Sequence, residues 1–184
     1  MQSDWRSVVL SNVSYDIVLA IIGCSTVAIA TSEGPVLARN LYWWPEDLLA
    51  RATYLIRYDS GQEIRTTTAS WPGAIGVVTG MSPRGFAIEL NDVLNPEGIH
   101  KTGCPVLLHI LRVLEYARDF DHALDRLRRI KLAAGGLFTL VGTQNDQSVV
   151  IEHSPTKCAV RKVEGQAALM ATNDYRQLFA TQTS

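Results

Sequence analysis

The chain has 184 residues, 47% of them hydrophobic and 19% charged, with a formal charge of −1. That is enough apolar material for one domain with an ordinary core, and too much for a disordered chain. The near-zero charge gives no general attraction to a phosphate backbone, which excludes nucleic acid as an expected partner.

A long uncharged stretch runs from Ile17 to Ser32. It falls short of the ~20 predominantly apolar residues of a membrane helix, and Gly23, Ser25, Thr26 and Thr31 interrupt it. It reads as two buried strands around Gly23, with no membrane span. It is also a poor signal peptide, because Asp4 and Asp16 lie in or before the apolar core. A cytoplasmic protein is favoured over a secreted one. Asn12-Val13-Ser14 matches a glycosylation sequon, which has meaning only in a secreted chain.

Ser25 to Ala30 and Pro35 to Asn40 are short apolar segments joined by the turn-rich Thr31-Ser32-Glu33-Gly34, a hairpin signature. An antiparallel pair of this kind brings Cys24, at the start of one strand, toward Arg39, at the end of the other. Tyr54 to Tyr58 and Glu63 to Thr68 form a second hairpin about Asp59-Ser60-Gly61-Gln62, and Ala74 to Thr79 and Phe86 to Leu90 a third.

From Pro105 to Ala117 the positions Val106, Leu107, Ile110, Leu111, Val113 and Leu114 keep a helical stripe, with Pro105 suited to a first turn. A second helix is predicted from Asp121 to Lys131, where the basic residues 126–131 alternate with apolar ones as on a solvated face. Strands resume at Leu137 to Val141, Ser148 to Glu152, Cys158 to Val163 and Ala167 to Ala171. Strands, two helices, then strands again argue for an α+β domain with antiparallel sheets.

Cys24, Cys104 and Cys158 are odd in number and lack CxxC or metal-ligand spacing, and the four histidines are scattered. Neither a disulfide framework nor a zinc site is expected, and the chemistry calls for no cofactor. His109 and His122 fall on the predicted helices and read as structural. Gly76, Gly80 and Gly85 lack a phosphate-loop lysine and read as strand and turn glycines.

Cys24-Ser25-Thr26-Val27-Ala28, then Gly34 to Arg39-Asn40-Leu41, resembles the nucleophile region of the N-terminal-nucleophile amide hydrolases. These include the acid ceramidase and N-acylethanolamine acid amidase group, choloylglycine hydrolase and penicillin V acylase, and the acyl-coenzyme A:6-aminopenicillanic acid acyltransferase family. Residues 71–81, Trp-Pro-Gly-Ala-Ile-Gly-Val-Val-Thr-Gly-Met, followed by Gly85-Phe86-Ala87-Ile88-Glu89-Leu90-Asn91, are most similar to the acyltransferase branch. Ala171-Thr172-Asn173-Asp174-Tyr175 is similar to the later asparagine motif. The ordered set spans Val8 to Phe179.

The resemblance implies an αββα sandwich, residues 1–23 as a propeptide released before Cys24, and residues 24–184 as one domain, shorter than its relatives at the C-terminal end. It implies that Cys24 attacks an amide carbonyl once the Gly23–Cys24 bond is cut, with the freed α-amine as its base. A thiol of pKa about 8.5 and an amine of about 7.7–8.0 suit that exchange. Arg39 matches the arginine beside the nucleophile, where a fixed positive charge favours thiolate. Asn91 and Asn173 match asparagines that polarise the scissile carbonyl or hold the site.

Trp43, Trp71 and Met81 are candidates for an apolar acyl pocket, with core packing as their other reading. The expected activity is hydrolysis of a linear non-peptide amide in a small N-acylated substrate through an acyl-enzyme, or acyl transfer. The competing reading is a noncatalytic homologue that binds an acylated ligand. The oligomeric state stays open. One departure stands out: Tyr42 occupies the place where relatives carry an aspartate thought to hold the α-ammonium group. Asp47, Asp92 and Glu89 are the carboxylates available to compensate.

Overall fold

The computed structural model describes residues 4–14, 23–59, 63–163 and 168–179. The strand expected over Ile17–Ile22 and the turn 60–62 lie outside them. In chain order the elements are α1 (Trp5–Val13), β1 (Gly23–Thr31), β2 (Gly34–Tyr42), α2 (Glu46–Ala52), β3 (Tyr54–Asp59), β4 (Ile64–Ser70), β5 (Thr79–Ser82) and β6 (Phe86–Asn91). They continue with α3 (Val106–Tyr116), α4 (Phe120–Arg129), β7 (Gly136–Val141), β8 (Ser148–His153), β9 (Cys158–Lys162) and β10 (Ala168–Ala171).

Strands β3 to β9 form a seven-stranded antiparallel meander, and β10, β1 and β2 form a three-stranded sheet in that order. The expected α+β architecture with two antiparallel sheets is therefore present. Side-chain alternation explains the stacking. In β6 and β7 the residues Ile88, Leu90, Phe138 and Leu140 pack with Ile110, Val113 and Leu114 of α3. Their neighbours Leu137 and Val141 turn the other way, to meet Ala28, Leu169 and Ala171 of the small sheet. Every residue of β7 and β8 is buried, because both faces of the large sheet are covered. The outer face of the small sheet is open in the described residues, with Val36 and Met170 exposed.

The apolar stripe predicted for residues 105–117 is α3, capped at Pro105. Helix α4 starts earlier than expected, at Phe120, because the Asp119 carboxylate caps it by accepting from the His122 amide at 2.8 Å. Two helices escaped the sequence reading. None of the residues of α2 is buried, so it has no stripe to recognise. In α1 the buried position is Asn12, a polar residue.

Asn12 also corrects the sequon reading. Its Nδ2 donates to the carbonyls of Val8 (2.8 Å) and Gly73 (2.9 Å), and its Oδ1 accepts from the amide of Ile75. The amide that a glycan would occupy is buried and already hydrogen-bonded, clamping α1 to the segment ahead of β5.

That segment departs from the expected strand at Ala74. Residues 74–78 form no ladder; they cross the first turn of α3, where the Val77 amide donates to the Leu107 carbonyl at 3.2 Å. A Cβ on Gly76 would lie 2.3 Å from Leu107 Cβ, so the crossing requires glycine. Gly76→Ala is expected to lower stability by about 1–3 kcal/mol through overpacking. The urea unfolding midpoint checks this, and an unchanged midpoint would mean the crossing is not close-packed.

Candidate active site

Strand β1 is the middle strand of the small sheet, and its register builds the site. Cys24 pairs with Leu41 and Thr26 with Arg39, so Cys24, Thr26 and Arg39 share the face turned toward the large sheet. Arg39 Nη2 donates to Cys24 Sγ at 3.0 Å. Its Nη1 donates to the Val78 carbonyl at 3.1 Å and the Thr79 hydroxyl at 3.0 Å. The guanidinium thus spans the two sheets, held at its far end by the last residue of the 74–78 crossing and the residue after it.

On the other side of β1, the turn after β10 supplies Asn173. Its Oδ1 accepts from the backbone nitrogen of Cys24 at 2.8 Å, and its Nδ2 donates to the Asp92 carbonyl at 2.7 Å. Both the nitrogen and the sulfur of Cys24 are therefore contacted by residues singled out in the sequence. Asn173 meets the nitrogen through its carbonyl oxygen, not through the amide donor expected to polarise a substrate.

The buried carboxylate Glu152 fixes the Asn173 turn. It accepts from the amides of Arg176 (3.0 and 3.1 Å), Gln177 (2.8 Å) and Leu178 (2.9 Å), and from Arg161 Nε at 2.7 Å. Tyr175 adds a hydrogen bond from its hydroxyl to the His153 carbonyl at 3.0 Å. No sequence signal marks Glu152, which reads as an ordinary strand residue.

Asn91, fully buried at the end of β6, sits behind this group. Its Nδ2 donates to the Ala171 carbonyl at 3.1 Å and its Oδ1 accepts from the Thr26 hydroxyl. It ties β6 to β1 and β10. Trp43 and Trp71 meet edge to face, with centroids 5.2 Å apart, and both pack partly buried against the main core. Met81 is exposed, two residues along β5 from Thr79.

Tyr42 pairs with Gly23, one position beyond the Cys24–Leu41 pair, so it occupies the opposite face from the thiol. It is 58% exposed, its hydroxyl 3.5 Å from Ser25 Oγ and from Asn40 Nδ2. The carboxylate near Cys24 is instead that of Asp92, a residue that is 1% exposed.

Burial pushes the Cys24 thiol above its usual value. The Arg39 charge pulls it back and the Asp92 carboxylate pushes it up again, while hydrogen bonds from the Asp92 main chain and from Arg39 favour thiolate. Away from the site, burial drives His109 down to about 4, which keeps it neutral inside the core. Among the described residues no group of three or more His, Cys, Asp or Glu side chains is placed to hold a metal ion. No helix among them is long and apolar enough to cross a membrane.

The fold is that of the N-terminal-nucleophile amide hydrolases. It superimposes on the N-acylethanolamine-hydrolyzing acid amidase ortholog of Caenorhabditis elegans with a TM-score of 0.73 at 22% identity, over 82% of this chain and 70% of that one. It superimposes on a conjugated bile acid hydrolase from Clostridium perfringens with a TM-score of 0.51 at 15% identity, over 79% and 52%. The chain belongs to the acyl-coenzyme A:6-aminopenicillanic acid acyl-transferase family, whose profile matches residues 29–183.

In sequence it is 26% identical over 186 residues to an uncharacterized protein of Archaeoglobus fulgidus, covering 88% of this chain and 31% of that protein. It is 25% identical over 142 residues to the N-acylethanolamine-hydrolyzing acid amidase of Caenorhabditis elegans, covering 72% and 40%. The chain thus spans well under half the length of these curated relatives.

Arg39→Leu removes the one cation that touches the thiol among the described residues, so the Cys24 titration should move to higher pH. Thiolate absorbance, followed with Cys104 and Cys158 both replaced by serine, checks this. A titration that does not move would separate Arg39 from the thiol's electrostatics.

Proposed function

We propose that this chain is a cysteine amidohydrolase of the N-terminal-nucleophile type, acting on the linear amide bond of a small N-acylated substrate and able to pass the acyl group to water or to an acceptor amine. The observation that carries this reading is the double hold on Cys24, with Arg39 on Sγ and Asn173 on the nitrogen.

Maturation comes first. The thiol sulfur bonds to the Gly23 carbonyl carbon, the C–N bond to Cys24 breaks, and the nitrogen takes up a proton. Water then cleaves the thioester, leaving a Gly23 carboxylate and a free α-amine on Cys24. Gly23 suits the step because it has no side chain to shield its carbonyl.

In turnover the thiol attacks the substrate carbonyl while the α-amine takes the thiol proton and delivers it to the leaving amine. Water, or an acceptor amine, resolves the thioester. Asn173 orients the α-amine through Oδ1, taking up positioning work that Tyr42 on the other face is badly placed to do. Asp92 adds a negative charge beside an amine that becomes cationic. Asn91 and Asn173 give their Nδ2 donors to the Ala171 and Asp92 carbonyls and so hold the site in place, while Trp43, Trp71 and Met81 offer apolar contact to the acyl chain.

The second reading, a noncatalytic homologue that binds an acylated ligand, is favoured by Tyr42 alone. Release of amine from a panel of N-acyl amides distinguishes the two. The parent should release amine and Cys24→Ala should not, a loss of at least about 1,000-fold for removal of a covalent nucleophile. Binding of the same amides without turnover in the parent would favour the second reading.

A further inference from the structure

Glu89 is a buried carboxyl for which the proposed reaction has no use. It lies in β6, only 4% exposed, on the face that looks toward the small sheet. Its neighbours across the ladder are Thr79 of β5 and Thr139 of β7, which bring hydroxyls and no charge. From β2 the Arg39 guanidinium acts on it, and from β1 the Thr26 hydroxyl lies beside it. The other titratable groups of this region, Cys24 of β1 and Asp92 just past β6, bear on each other, and Cys24 is bound to the same guanidinium.

The direction of the hydrogen bonds can be worked out from one fixed end. The Ala171 carbonyl only accepts, so the Asn91 side chain must present Nδ2 to it, at 3.1 Å, and Oδ1 to Thr26. A hydroxyl has one proton to give, and Thr26 must give it to Asn91. Toward Glu89 it has only lone pairs left. An ionised Glu89 would face them with lone pairs of its own. A protonated Glu89 donates to Thr26, and the chain from Glu89 through Thr26 and Asn91 to Ala171 is satisfied throughout.

The charge count points the same way. Arg39 is the cation that touches the thiol, and its Nε is a buried donor without a hydrogen-bond partner among the described residues, as Glu89 Oε2 is a buried acceptor without one. A carboxylate at Glu89 would compete with the Cys24 thiolate for that positive charge. We propose that Glu89 is a positioning residue that works as the neutral acid, aligning Asn91 through Thr26 and leaving the charge of Arg39 to Cys24. This rests on Cys24 being the nucleophile. Burial, which outweighs the Arg39 charge, raises Glu89 above the usual carboxylate range, consistent with the neutral form.

The sign of the linkage follows. A carboxyl that holds its proton more tightly when folded destabilises the native state as pH rises, from the unfolded value of about 4.3 up to its own raised value. Glu89→Gln keeps a donor for Thr26 and cannot ionise. Its urea stability should therefore match the parent below about pH 4 and exceed it increasingly as pH rises from there to the raised value of Glu89, whereas Glu89→Ala should be weaker than Glu89→Gln throughout.

Carbon-13 NMR of the glutamate carboxyls in the parent reads the same event directly, as one carboxyl titrating above the rest, and does not depend on any variant folding. A constant stability difference between parent and Glu89→Gln, a loss of stability in Glu89→Gln confined to high pH, or an absence of any raised carboxyl would overturn the proposal. None of these outcomes bears on whether Cys24 hydrolyses amides. Conversely, a raised Glu89 in a protein that releases no amine would remove the amidase reading and leave the protonation state of Glu89 standing.

Discussion

Strand β1 is gripped along both edges, and the site depends on that grip. Its pairing with β2 decides that Cys24 and Arg39 point the same way, and its pairing with β10 delivers the turn that carries Asn173. A slip of one residue in either ladder would reverse the alternation and carry the thiol to the opposite face of the sheet. The rest of the molecule maintains the register. Asn91 ties β6 to both β1 and β10, Glu152 secures the turn after β10, and the small sheet buries its inner face on Leu137, Val141 and Val150.

The second constraint is electrostatic. Arg39, Cys24, Asp92 and Glu89 are gathered between the sheets, with one permanent positive charge among three groups able to become negative. A low-dielectric interior does not tolerate all three ionised at once. Which of them keep their protons therefore decides how nucleophilic the sulfur is. The guanidinium suits the central role because it cannot lose its charge and its planar fork reaches partners on both sheets. A lysine there would hold the charge but not the bridge from Cys24 to Val78 and Thr79.

Much of the fold was legible because burial leaves a period in the sequence. The stripe of α3, the hairpin around residues 31–34 and the apolar strands β7 and β8 each announce themselves through alternation or helical spacing. Helix α2 buries nothing and α1 is attached through a polar side chain, so neither carries such a period. The 74–78 segment is apolar enough to resemble a strand, yet its apolar residues serve a crossing over α3 that depends on a glycine. At the site, Cys24 and Arg39 were expected to meet, and they do. That Tyr42 faces away follows from the same hairpin register. Residues whose partners lie far off in the chain were harder to see: Asn12 reaches across more than sixty positions to Gly73, and Asn173 across 149 to Cys24. No local pattern could have shown which atom of Asn173 meets Cys24.

The central claim is that Cys24 becomes an N-terminal residue bearing thiol and amine together. A cyanobenzothiazole reagent condenses with a 1,2-aminothiol and forms no stable product with an internal cysteine, so it reads that state without knowledge of the substrate. Treatment of the purified protein followed by peptide mass analysis should place the adduct on Cys24 as the first residue of its fragment, with Cys104 and Cys158 unmodified. Recovery of an unmodified peptide running unbroken through Gly23 and Cys24, under conditions where the protein releases amine from an N-acyl amide, would contradict the account.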